Sequence, residues 1–189
     1  KQMTKVQLLL DLKAFTEEVL KNETLSVREQ KEDNGIAPRD RAPEVHLMRL
    51  PDVKSYEKRA PYVLHQVVTG HDGVEKRGEG AFRYNQTTAG AVVRSVFCVY
   101  DRDMERGTMA LLQVMEQFRV SLLERGCVGG QFSLDLDEGI STMVYPFNKN
   151  DRPDPYYSGE MVTSWILPPV ENLAAIEIAS GGKRAARPL

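Results

Sequence analysis

The chain has 189 residues, of which 41% are hydrophobic and 28% charged, and its net charge is -2. This is the composition of a globular chain long enough to bury its own core, and it excludes a disordered chain and a globally basic nucleic-acid binder. No apolar run approaches the ~20 residues of a membrane-spanning helix.

The first predicted element is a helix. Thr4 and Gln7 have capping-box spacing, and Met3 and Leu8 have the spacing of a hydrophobic staple. Leu8, Leu12, Phe15 and Val19 then form one apolar stripe, and the helix is expected to end near Asn22. Asp11 and Lys13 interrupt the leucine run and no small-residue cleavage site follows, so a signal peptide is not expected.

Residues 22–43 are polar and carry Gly35, Pro38 and Pro43, which predicts a loop or arm. A short strand is expected from Glu44 to Arg49, stopped by Pro51. After a charged loop, "PYVLHQVVTG" reads as a second strand with Pro61 at its first position. The glycine-containing stretch at 71–90 suits a long hairpin tip or an extended arm. "AVVRSVFCVYD" is a third strand of high β propensity.

A second helix is expected within Asp103–Arg125. Leu111, Met115, Phe118 and Leu122 share a face, and Gly126 supplies the stop. A short strand follows around Phe132–Asp135, and "ISTMVYPF" is a further strand or an irregular segment. In "DPYYSGEMVTSWILPP", residues Met161, Thr163, Trp165 and Leu167 alternate onto one heavy face, and Pro168 and Pro169 end the strand. The fold class expected from this order is α+β: two helices on one face of a mostly antiparallel or mixed sheet, with long loops. Residues 1–169 form one domain, with core positions Leu12, Phe15, Leu111, Met115, Phe118, Met161 and Trp165. Residues 170–189 form a C-terminal extension.

Signals of chemistry are sparse. His46, His65 and His71 have no helical i, i+4 pairing and no HExxH, so neither a metal nor a catalytic role is expected, and no cofactor. Cys98 and Cys127 are expected to be buried, reduced thiols, and the sequons at Asn22 and Asn85 carry no weight. "DRDMERG" and "DLDEG" fail the calcium-loop pattern: the sixth and twelfth positions are Arg106 and Leu112 in the first case, Ile140 and Pro146 in the second. Helix capping and a turn are the expected roles. The glycine clusters "RGEGAF" and "GCVGG" lack phosphate-loop spacing. In the extension, Ile176 and Ile178 lie in a short apolar patch, Gly181 and Gly182 form a hinge, and Lys183, Arg184 and Arg187 follow. These five apolar and basic side chains are candidate contacts to a partner or to DNA; a solvated tail is the alternative.

The ordered segments carry more than any single motif. "VHLMRLP", then "APYVLHQVVTGHDG", then "VVRSVFCVYD" running into "LLQVMEQFRVSLLERG", and finally "PYYSGEMVTSWILPP" resemble the tail-terminator or tail-completion proteins of long-tailed bacteriophages. The resemblance covers most of residues 4–169 and leaves out 22–43 and 170–189. It implies a structural virion protein without an active site. Copies of it, usually six, would form a ring at the head-proximal end of the tail tube. Such a ring ends tube polymerisation and joins the tube protein to the head–tail connector or stopper, with genome DNA passing through the lumen. Its place would be the virion neck, after assembly in the host cytoplasm. The competing readings are another neck or tail-tube-like protein, and a small prophage-encoded α+β enzyme.

Overall fold

A computed structural model of the chain describes residues 4–28, 40–51, 60–77, 84–145 and 155–169. Helix α1 spans Lys5–Leu20. Its N-terminus is capped as the sequence suggests: Gln7 N–H donates to Thr4 Oγ1 at 3.2 Å. The reciprocal half of the box is not used, because the Gln7 side-chain amide turns along the helix and donates to Asp11 Oδ1 at 2.7 Å. The staple residue Met3 lies outside the described residues.

Among the described residues, seven strands build one mixed sheet: β1 (Glu44–Leu47), β2 (Tyr62–Arg77), β3 (Tyr84–Tyr100), β4 (Cys127–Val128), β5 (Phe132–Leu134), β6 (Ile140–Val144) and β7 (Tyr156–Leu167). The order across the sheet is β1-β2-β3-β7-β5-β4, with β6 also paired to β7. β1 runs parallel to β2, and the other pairings are antiparallel. β2 runs seven residues beyond the Gly70 at which the sequence suggested it would end, so the glycine-containing stretch is largely strand. A bulge between Val67 and Thr69 shifts the register and extrudes Val68.

Helix α2 spans Met104–Arg125. Asp103 caps it, accepting from Arg106 N–H at 2.9 Å, and Asp101 accepts from Asp103 N–H at 2.8 Å while pairing with the Arg106 guanidinium. The first acidic stretch is therefore a helix cap. The left-handed backbone of Gly126 (φ 64°) ends the helix, and its N–H returns to Leu122 O.

The two helices lie on one face of the sheet. Leu12, Phe15, Leu111, Met115, Phe118, Met161 and Trp165 are buried in one continuous core. Phe118 sits at its centre, with edge-to-face contacts to Phe15 at 6.0 Å and Phe97 at 5.5 Å. Strand β7 runs through the core with strict alternation: Tyr157, Gly159, Met161, Thr163, Trp165 and Leu167 are buried, whereas Ile166 is exposed. Trp165 Nε1–H donates to Thr163 Oγ1 at 2.9 Å, so the buried indole keeps a partner. The helix layer can approach because glycines face it at two crossings. A Cβ at Gly107 of α2 would fall 2.1 Å from the Tyr157 ring, and one at Gly159 of β7 would fall 2.8 Å from Met115 Sδ. On the opposite face, Ala60, Cys98 and Tyr100 form a small second cluster with Tyr62 and Tyr156.

Candidate functional site

The sequence offered three histidines, two cysteines and two acidic stretches as material for chemistry. His65 is completely buried between α1 and the sheet. Its Nε2 lies 2.9 Å from Thr16 Oγ1, and its Nδ1 lies 2.8 Å from Ser95 Oγ. The Thr16 hydroxyl proton is committed to Leu12 O at 2.7 Å. Thr16 must therefore accept from His65 Nε2–H, and Nδ1 accepts from the Ser95 hydroxyl. The Ser95–His65 pair has the spacing of a nucleophile and its base. However, Thr16, His65 and Ser95 are all 0% exposed, so no substrate reaches them. Burial alone pushes the imidazole down to about 3, which makes it a neutral structural link.

Cys98 is buried as expected, but Cys127 is exposed, which corrects the expectation of two buried thiols. The reason is local. Gly126 turns the chain out of α2, and β4 is only two residues long, so Val128 alone turns inward. Next to Cys127 lies an open cavity of about 410 Å³ between α1 and the α2–β4 turn, lined by Asp11, Phe15, Glu18, Arg125 and Gly129 among others. Its charges are used internally: Arg125 pairs with Glu18 at 3.2 Å and stacks 5.1 Å over the Phe15 ring. Among the described residues, no group of three or more His, Cys, Asp or Glu side chains is placed to hold a metal ion.

The surfaces are more informative than the interior. β2 and β3 stay paired from Tyr62↔Cys98 out to Arg77↔Tyr84, whereas β7 joins β3 only from Ala89↔Leu167 inward. From the helix layer, Lys5 Nζ meets β2 at Asp72, at 2.8 Å. Among the described residues, the five pairs from Gly73↔Thr88 outward thus form a two-stranded ribbon, about 17 Å long at ~3.3 Å per residue. Val74 on this ribbon is 54% exposed. Such a ribbon is marginal by itself in water.

Two broader faces also carry apolar side chains outward. The solvent side of α2 presents Met109, Leu112, Val120 and Leu123. The face of the sheet opposite the helices exposes Val68 and Ile166 around a polar centre. There Glu160 pairs with Arg94 at 2.9 Å and accepts from Tyr145 O–H at 2.6 Å. That hydrogen bond, followed by burial, raises the Tyr145 hydroxyl above its ordinary range. None of these surfaces was singled out by sequence. The ribbon was visible only as a choice between a hairpin tip and an arm. The candidate contacts Ile176, Ile178, Lys183, Arg184 and Arg187 lie outside the described residues, as does the junction to the extension.

Compared with known proteins, the chain matches no family model and no curated protein.

Proposed function

We propose that this chain is a structural subunit of a long-tailed phage virion, a tail terminator that works by assembling into a ring at the head-proximal end of the tail tube. The observation that carries this reading is the β2–β3 ribbon. Among the described residues neither a third strand nor a helix lies beside it, and it presents Val74 to solvent. Ordering such an arm costs backbone entropy that its own contacts do not return. A neighbouring copy in a ring supplies the missing surface.

The outward apolar side chains of α2 and of the open sheet face support the same reading, because repeated head-to-tail contacts of one subunit use two different faces. The likeness of the ordered segments to tail-terminator proteins selects this ring among other assemblies. Six copies, a tube protein on one side, a connector or stopper on the other, and DNA in the lumen follow from that likeness. The burial of the Ser95–His65 pair weighs against the enzyme reading.

The test is a clean deletion of the gene in the phage or prophage that carries it, with complementation. The expected result is full heads without tails and free tubes of irregular length, rescued by the intact gene. Normal infectious tailed particles from the deletion would overturn the proposal.

A further inference from the structure

Strand β6 is an edge. It pairs with β7 from Ile140↔Thr163 to Val144↔Gly159, and among the described residues no strand pairs with its other side. Natural edges are usually blunted by charge, proline or a bulge. β6 reads "ISTMV" and has none of these, and Met143 is 54% exposed. Five consecutive residues therefore offer a template for one more strand.

Just before β6 lies the second acidic stretch. β5 and β6 both pair with the same side of β7, and Asp135–Gly139 loops out between them. Asp135 N–H donates to Ser164 O at 2.8 Å, Asp137 N–H donates to Asp135 Oδ1 at 3.1 Å, and Gly139 closes the turn at φ 71°. The loop holds Asp135, Asp137 and Glu138, with Leu136 61% exposed at its tip. Among the described residues, the edge thus has three carboxylates at its Ile140 end, whereas at its Val144 end Glu160 is held in an ion pair with Arg94.

The geometry points to one occupant for this edge: residues 174–187 of a second copy of the chain, added antiparallel to β6. Ala174, Ile176 and Ile178 alternate with Ala175 and Glu177, which is the period of a strand. Gly181 and Gly182 follow, and then Lys183, Arg184 and Arg187. Run antiparallel, the strand brings its basic end to the Asp135–Gly139 loop. Run parallel, it would carry those cations to the Val144 end, where Glu160 is already paired with Arg94. Charge therefore selects the direction, and backbone hydrogen bonds supply the affinity.

The same direction, with Ile176 set beside Thr142, selects a second copy over the chain's own extension. To start beside Val144, the chain's own Ala174 would have to travel back past eight residues of β7, from Leu167 to Gly159, and two strands sideways. That is about 28 Å, from ~3.3 Å per residue and ~4.8 Å per strand. The seven steps from Leu167 to Ala174 span at most about 25 Å. In that register the chain's own extension does not reach β6 in the antiparallel sense.

This inference deepens the ring reading by naming one of its joints. Its test needs only purified full-length chain, so its failure leaves the deletion experiment to decide the function separately. In a Cys127→Ser background, one preparation carries Thr142→Cys, and others carry cysteine at each position from 174 to 178. Facing residues of an antiparallel pair lie within disulfide reach. Mixed and oxidised, the Thr142→Cys chain should cross-link to Ile176→Cys or an immediate neighbour as a dimer. Reversing Lys183, Arg184 and Arg187 to Glu should lower the yield about tenfold, the scale of three exposed ion pairs. Reversing Asp135, Asp137 and Glu138 to Lys in the acceptor should restore it. No cross-link at any of the five positions would overturn the inference. So would a cross-link indifferent to both reversals, or one that forms only within a single doubly substituted chain.

Discussion

His65 shows how a residue that draws attention in a sequence can be tied down in the fold. Its two nitrogens join α1 through Thr16 to β3 through Ser95, and the nearest ring is that of Phe118. No charged group contributes to its lowered pKa; burial alone does. The unfolded chain, with the ordinary value of 6.5, binds the proton more readily than the folded chain at about 3. The stability this group contributes is therefore complete above pH 6.5 and is lost as pH falls toward 3, at up to ~1.4 kcal/mol per pH unit. Denaturant melts of the wild type should weaken between about pH 6.5 and 5, above the carboxylate range. His65→Gln should lower stability overall but flatten that slope. An unchanged slope in the variant would mean that His65 is protonated in the folded chain.

At the scale of elements, the crossing of α2 over β7 is the most constrained contact. Gly107 is a helix-interior glycine, and in an open helix its replacement by Ala would add about 1 kcal/mol. Here the new methyl would meet the Tyr157 ring, which is itself buried. Overpacking of this kind costs about 1–3 kcal/mol. Gly107→Ala should thus lower the denaturation midpoint, and the same change in a Tyr157→Leu background should be neutral or stabilising. Loss of stability in both backgrounds would show that the ring is not the obstacle.

The elements themselves were largely legible in sequence. Both helices carry their own caps at Thr4, Asp103 and Gly126, and β7 alternates cleanly between Tyr156 and Leu167. Local chemistry fixes such features. The turn at Asp135–Gly139 was expected, but the two-residue β4 and the pairing of β5 and β6 along one edge of β7 were not legible, because contact with a distant strand defines them. The exposure of Cys127 and the apolar outer side of α2 were hidden for a related reason. Apolar residues on both sides of a helix read as core until the packing shows which side is covered.

At the scale of the whole molecule, the described residues hold a large core, a small second cluster and several surfaces that look outward. The helix layer and sheet close over Phe118 and Trp165, and the Thr16–His65–Ser95 link is sealed inside. The β2–β3 ribbon, the β6 edge and the solvent side of α2 carry apolar groups into water. A subunit that meets copies of itself has a use for such surfaces, and a ring joint has no need of a catalytic pocket. The most direct test of the proposed role is a reconstruction of the virion neck from a phage found to encode this chain. The expected density is a closed ring of copies, six by likeness to tail terminators, between the tail tube and the connector, with each β2–β3 ribbon lying against its neighbour. A single asymmetric copy, or a neck that lacks the chain altogether, would contradict the assignment.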